Sequence, residues 1–434
     1  MSKRKCLGHI NYIYKLNVIK TVDLYCSAGR NGHKRMRIVQ INSYSNGSTG
    51  QIADSIHSAL LNSNNDSLFA YGSGPEIVDG GYRISNRLDI FVHTLLTLFT
   101  GLHGYSSVRV TRRLIKKLKK FNPDLIHLHN LHGGYLNLKI LFDYLKKANI
   151  PVVLTIHDCW IYTGKCYHYY EAKCDKYLNR CGNCPQLSMY PKSFLFDCTS
   201  KMLMDKRKWI EPIEKINIVT ISDWLKHEVK NSFLGTYPIT TIKNGINSIY
   251  DIIPVPDDVQ IKYGIKDKFV ILGVASSWNS HKGISDFVRL ANKLSNDEVI
   301  VLVGNMAKNI ELPKNIIAIN HTESMHELAL IYNSASVYVS MSTEETFGLT
   351  IAEALSCGTP AVVYQATACP EMIVEGENGY VASPHNIAQV YNYIQLIKKG
   401  KIGDRESISL KARRTYSQER MVAEYLSYYR SILG

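Results

Sequence analysis

Short apolar runs bounded by turn residues recur along this chain, and between them apolar positions return at helical spacing. Pro151–Ile156, Ile239–Ile242, Phe269–Ala275 and Val299–Gly304 are continuous apolar or β-branched runs, and Leu125–Leu128 is a similar run broken only by His127. That is the pattern of strands buried on both faces of a parallel sheet. The first such strand begins at Met36, and further ones lie at Ile216–Ile221, from Ile316, at Ser336–Ser340 and at Ala361–Tyr364. Helical patterns start near Gln51 and cover His326–Tyr332, Leu349–Leu355 and Ser417–Ile432, the last amphipathic and rich in tyrosine. Strand and helix alternating over 434 residues predict an α/β protein of two doubly wound, Rossmann-like domains. Tyr250–Lys268, with Pro254, Pro256 and several aspartates, breaks the alternation and reads as a linker between residues 36–249 and 269–415.

Composition narrows the class. Hydrophobic residues at 45% and charged residues at 20% are ordinary for a globular chain. No apolar run reaches the roughly 18 residues of a membrane span; the nearest, Ile90–Phe99, is interrupted by His93 and two threonines. Residues 1–35 carry early lysines and arginines, and Asn11, Lys15, Asn17 and Lys20 break any signal-peptide core. They read as a dispensable extension with Met36 as the functional start, and the expected location is cytoplasmic. The net charge of +14 favours anionic partners. No nucleic-acid module is recognisable, which leaves phosphorylated substrates or an anionic lipid surface. The densest basic run, Arg112 to Lys120, suits a membrane surface and a solvated helix face equally.

The most informative stretch is Met341–Pro360. A strand leads into a loop holding Glu345; a helix from Leu349 carries Glu353, and Gly358 and Pro360 stop it. Were the whole span between the glutamates helical, they would lie about 12 Å apart. That is too far to share a proton or a metal, and right for two parts of one extended ligand. Backbone amides around Phe347, Gly348 and Leu349, at the helix start, favour an anion between them. Lys282, just before Gly283 at another strand–helix junction, is placed to meet a diphosphate. The loop Asn42–Gly50 after the first strand, with Gly47 and Gly50, can cradle a phosphate, although it matches neither a dinucleotide fingerprint nor a P-loop.

Two further clusters carry other chemistry. His127 and His129 end one strand and His157-Asp158 another, a set that a zinc-dependent hydrolase could use, although His127 and His129 read better as lining a cleft or satisfying backbone groups. Cys166, Cys174, Cys181 and Cys184 lie in a long Tyr-rich insertion, about residues 159–198, and the last two have zinc-knuckle spacing. A structural zinc and free thiols are both open readings; with no signal peptide, disulfides come last.

The order Glu345-x-Phe-Gly-Leu-x-x-x-Glu353 followed by Ala-Leu-Ser-Cys-Gly-Thr-Pro resembles the E-x7-E signature of the retaining, GT-B-fold glycosyltransferases of family 4. The likeness extends over residues 36–434. The Cys-bearing insertion after His-Asp-Cys-Trp is similar to that of the colanic-acid and capsule enzymes. The resemblance implies two Rossmann-like domains facing a central cleft, with the acceptor on the first, the nucleotide sugar on the second, and a C-terminal helix (416–434) crossing back to the first. It implies that Glu345 contacts the donor sugar, Glu353 the ribose and His157 the sugar from the first domain. Lys282 would serve the diphosphate, with Gly47 and Gly50 lining the donor site. It implies retaining transfer to a glycan or lipid-linked acceptor with no catalytic metal or other cofactor, at the inner face of the cytoplasmic membrane. One departure stands out: Ser277 occupies the place where the family usually carries arginine, which keeps open a non-catalytic sugar-nucleotide-binding protein.

Overall fold

A computed structural model describes residues 34–306 and 310–434. The expected extension, residues 1–35, lies almost wholly outside the described residues. By internal contacts the chain groups into two units. The first holds the described residues up to Ile221, Leu225–Lys243 and Glu419–Gly434; the second holds Ser222–Trp224 and Asn244–Gln418.

The first unit is built on seven parallel strands: β1 (Arg37–Tyr44), β2 (Asp66–Ser73), β3 (Gly81–Arg83), β4 (Leu125–Leu128), β5 (Val152–Ile156), β6 (Ile216–Thr220) and β7 (Ile239–Thr241). Their spatial order is β3-β2-β1-β4-β5-β6-β7. Helices α1 (Gly47–Asn62), α2 (Arg87–Thr100), α3 (Val108–Phe121), α4 (Leu138–Ala148), α5 (Thr199–Ile210) and α6 (Asp223–Asn231) connect them. β4 and β5 are buried at every position, and apart from His127 in β4 and Thr155 in β5 their residues are apolar. Asn122 and Asn149 end α3 and α4 in the left-handed conformation, which asparagine tolerates better than most side chains.

The second unit repeats the plan with six parallel strands: β8 (Phe269–Ser277), β9 (Glu298–Asn305), β10 (Ile316–Ile319), β11 (Val337–Ser340), β12 (Ala361–Tyr364) and β13 (Gly379–Ala382). Their order is β10-β9-β8-β11-β12-β13. Its helices are α7 (Asp257–Lys262), α8 (Ile284–Ala291), α9 (Met325–Ser334), α10 (Leu349–Ser356), α11 (Ile387–Lys398) and α12 (Arg405–Tyr416). The stretch read as a linker contains α7 and buries Tyr250 and Ile265. The last helix, α13 (Gln418–Leu433), buries Met421, Val422, Tyr425, Leu426 and Tyr429 in the first unit's core beside Ile38, Leu125 and Val153.

Each sheet reverses its strand order once, between β1 and β4 in the first and between β8 and β11 in the second. In open α/β sheets ligands bind at such switch points, off the strands' C-terminal ends. Those ends carry the Asn42–Gly50 loop and His129 in one unit, and the loops holding Lys282 and Glu345 in the other.

The insertion after β5 has almost no regular structure; its one defined piece is a single turn, Lys176–Leu178. Two buried lysines satisfy its backbone. Lys165 donates to the carbonyls of Gln186, Leu187 and Met189 at 2.7–3.1 Å. Lys206 donates to those of Trp160 and Thr163 at 2.5 and 2.9 Å, with its ammonium 3.7 Å from the Trp160 ring centroid. Burial pulls the Lys206 ammonium down to about 7.

Candidate functional site

In the second unit, β8 runs out at Ser277 and Asn279 turns the chain. The Asn279 side chain accepts the Lys282 N–H at 3.1 Å. Gly283 follows with φ +74°, and a Cβ there would lie 2.5 Å from both the Cβ and the carbonyl oxygen of Met341. Only glycine meets both demands, so the loop after β8 is held against the loop after β11. That contact brings Lys282 to Glu345, Nζ to Oε1 at 2.5 Å. Burial alone would lower the Lys282 ammonium, but the charge and hydrogen bond of Glu345 outweigh it and raise the pKa. Glu345 is anchored by its own backbone, its N–H donating to Thr367 Oγ1 at 2.8 Å and its carbonyl accepting the Ala368 N–H at 3.2 Å.

Three residues on, Gly348 begins α10 with φ +97° and no side chain caps the helix. Phe347 is buried with its ring edge-on to Tyr416, while Leu349 and Thr350 in the first turn are partly exposed. The helix start is thus an open set of amide donors beside a fixed lysine–glutamate pair, the ingredients of an anion site. Because the helix begins only at Leu349, the span from Glu345 to Glu353 is not the continuous helix on which the 12 Å estimate rested.

Glu353 sits one turn into α10 in different surroundings. The Tyr332 hydroxyl donates to its Oε2 at 2.8 Å, and the Tyr250 hydroxyl also hydrogen-bonds it. Burial raises the carboxyl to about 7, with the two tyrosines opposing. Both tyrosines escaped the sequence reading. Tyr332 lies 21 residues before its partner and Tyr250 in the presumed linker, so no local pattern points to either.

Trp278 is buried, its indole N–H donating to the Val303 carbonyl at 3.2 Å and its ring edge-on to Phe287. It belongs to the domain core and does not replace the arginine absent at Ser277, which is exposed at the strand end.

In the first unit, α1 starts at Gly47, four residues earlier than the expected Gln51, so both loop glycines fall in its first turn. Gly47 has φ +71°, and a Cβ on Gly50 would lie 2.7 Å from the Ser45 backbone. No side chain caps this helix either.

The histidines divide by role. His127 is fully buried, with Nδ1 2.6 Å from the Tyr429 hydroxyl and Nε2 2.7 Å from Thr155 Oγ1. Both nitrogens are spent inside the core. His129 joins Gln40 to His157, each at 3.1 Å. Burial lowers His157 to about 4, with Asp158 opposing and His132 adding, so its ring is neutral at pH 7. Asp158 holds His132 at 2.8 Å and accepts the Trp160 N–H at 2.9 Å. Among the described residues, His127, His129 and His157 do not gather into a metal-binding group. With His127 tied to Tyr429 and Thr155, the set expected of a hydrolase does not converge.

Cys166 and Cys184 are hydrogen-bonded, which holds the Cys184 thiol below its ordinary range. No three of Cys166, Cys174, Cys181 and Cys184 bring their sulfurs together as a ready-made ligand set.

Comparison with known proteins decides the family. The model described as "Glycosyl transferases group 1" matches residues 257–415, and that described as "Glycosyltransferase Family 4" matches residues 68–185. The chain belongs to these glycosyltransferases. Its two sheets and switch points are those of the GT-B fold. The glycosyltransferase is 22% identical over 433 residues to the Escherichia coli (strain K12) protein WcaC, a glycosyl transferase assigned to colanic acid biosynthesis; the match takes in 92% of this chain and 100% of WcaC. It is 27% identical over 298 residues to the alpha-monoglucosyldiacylglycerol synthase of Acholeplasma laidlawii, covering 64% of this chain and 68% of that one. The crystal structure of Anabaena HepE in complex with UDP-glucose shares the fold, with a TM-score of 0.62 at 15% identity over 91% of this chain and 100% of HepE. No helix among the described residues is long and apolar enough to cross a membrane.

Proposed function

We propose that this glycosyltransferase moves a sugar from a nucleotide-sugar donor to a lipid-linked glycan acceptor, with retention, in the assembly of a cell-surface polysaccharide. The observation that carries the reading is the Lys282–Glu345 pair beside the uncapped start of α10, at the switch point of the second sheet. A diphosphate would take the amides and Lys282, the donor sugar Glu345, and the ribose Glu353. Gly47 and Gly50 would complete the donor site, and neutral His157 would be a hydrogen-bonding partner for the sugar. In the transfer, the bond from the anomeric carbon to the diphosphate oxygen breaks as the acceptor oxygen bonds to the same face. The acceptor's proton passes to the leaving diphosphate. Lys282 and the helix start stabilise the charge growing on that leaving group, a preorganised role that calls for no divalent cation. UDP-glucose in HepE supports the donor class, the lipid product named for the Acholeplasma synthase the acceptor class, and WcaC the polysaccharide setting.

The test is a thermal-shift screen of the full chain against nucleoside diphosphates and nucleotide sugars, repeated with Glu353→Ala. Specific stabilisation that the substitution abolishes supports the donor site and names its base. No shift with any nucleotide overturns it. Ser277 favours one second reading, a sugar-nucleotide-binding protein without transfer; measured turnover, undiminished by EDTA, rejects it. Zinc at Cys166, Cys174, Cys181 and Cys184 is a separate proposal, supported by the Cys181/Cys184 spacing and the Cys166–Cys184 contact and opposed by the lack of a third sulfur beside that pair. Metal analysis of the purified protein decides it.

A further inference from the structure

Helix α2 is inside out. At about 100° per residue, Leu88, Phe91, Val92, Leu95, Leu96 and Phe99 fall within an arc of about 140°. All six are exposed, Leu88 by 68% and Phe91 by 61%. The residues the helix buries are His93 and Thr97. His93 accepts the Gly104 N–H at 3.1 Å and pairs through Nδ1 with Ser107 Oγ at 2.7 Å, so the face toward the domain is fixed by polar contacts. An amphipathic helix that served only its own domain would be turned the other way.

The apolar face is extended by a second segment. Phe194, Leu195 and Phe196 are 66%, 64% and 57% exposed. The Phe194 N–H donates to the Leu98 carbonyl at 3.0 Å, and Cys198 Sγ lies 3.2 Å from the Thr100 carbonyl, so this loop is docked on the end of α2. Contiguous exposed apolar surface of this kind marks an interaction site.

Charge selects the occupant. The Ser107 contact that seats His93 also leads into α3, whose seven cations, from Arg109 to Lys120, meet no acid on that helix. Exposed Lys192 flanks the Phe194 loop. The acids beside the surface are engaged with backbone, Asp89 capping Asn86 and Asp197 accepting the Cys184 and Thr199 N–H groups. A second copy of this chain would bring a second set of cations. We infer that α2 and the Phe194–Phe196 loop insert into the surface of an anionic bilayer, with α3 supplying the attraction to its headgroups. This inference deepens the lipid-linked-acceptor part of the proposed function.

The experiment is co-sedimentation of the full chain with phosphatidylcholine vesicles, with and without phosphatidylglycerol. The wild type should pellet with the anionic vesicles. Phe91→Ser/Leu95→Ser/Phe99→Ser should lower that partitioning at least about tenfold, and Phe194→Ser/Phe196→Ser should lower it independently. Lys116→Gln/Lys117→Gln should weaken binding most at low salt. All these side chains are exposed, so melting temperature and nucleotide stabilisation should match the wild type. Failure of the wild type to bind anionic vesicles overturns the inference, as does unchanged partitioning of the α2 variant. A variant that instead converts a dimer to a monomer overturns it in favour of a protein interface. Loss of nucleotide binding by the wild type would count against the transferase reading and leave the vesicle result standing.

Discussion

Glu345 and Glu353 stand eight residues apart in one motif, yet they occupy opposite electrostatic environments. Glu345 lies in a loop, paired at 2.5 Å with an ammonium. Among the described residues Glu353 is met by two tyrosine hydroxyls, and burial lifts it to about 7. A buried carboxylate held by phenols, as Glu353 is, comes close to giving its charge up. A shared signature therefore hides two jobs. Glu345 and Lys282 form a charge pair that a diphosphate and a sugar can divide between them. Glu353 is suited to hydroxyl groups, which donate to a carboxylate without needing a counter-charge.

Glu345→Gln should have the largest effect. Turnover should fall on the order of a thousandfold, the scale of removing a charged group from a reacting centre. Nucleoside diphosphate affinity should hold or rise, because Lys282 is released from its partner. Steady-state kinetics and calorimetry on the same preparation check both halves. A parallel loss of affinity would show that Glu345 merely supports the fold of the site.

Glu353→Gln should invert that pattern, weakening nucleotide binding by roughly tenfold if the proposed ribose contact is made. It should also stabilise the protein at alkaline pH. In the unfolded chain this carboxyl titrates near 4.5, and in the folded protein near 7. The folded state therefore holds the proton more tightly, and stability falls as pH rises from 4.5 through 7. The glutamine variant does not share that loss. Its advantage over wild type should be absent near pH 4 and grow to roughly 3 kcal/mol by pH 8. Denaturation curves at the two pH values measure it. Equal advantages at both would place Glu353 in ordinary solvent.

How far the sequence carried this site follows from where its contacts come from. Strand and helix alternation, the E-x7-E spacing and the Gly283 turn are local patterns, and the two-sheet plan and the Lys282 loop were legible from them. The surroundings of Glu353 were not, because Tyr250 and Tyr332 reach it only through the packing of α9 on α10 and the burial of a stretch read as linker. The separation of His157 from His127 and His129 was legible, but the partners that hold the latter two were hidden for the same reason. His127 is committed to Tyr429, a residue 302 positions away on the last helix. The inverted face of α2 was half visible: Ile90–Phe99 stood out as apolar, but which side met the domain depended on His93 finding Gly104 and Ser107.

Tyr332→Phe is the smallest and finest probe of the contrast between the two glutamates. Tyr332 is fully buried, and its ring sits among Tyr250 and Tyr338, so phenylalanine keeps the packing and removes only the hydroxyl. Below pH 5 the hydroxyl faces a protonated carboxyl, and losing it should cost about 1 kcal/mol. Above pH 7 the acceptor is ionised and the bond is charge-assisted, so the cost should rise to about 2 kcal/mol. The same change takes away one of the two groups that hold the Glu353 pKa down, so its carboxyl should titrate higher than about 7. Nucleotide binding should then reach its full strength at a more alkaline pH than in the wild type. A cost that is the same at pH 5 and pH 8 would mean the hydroxyl never sees a carboxylate change its charge. The two glutamates would then differ in position alone.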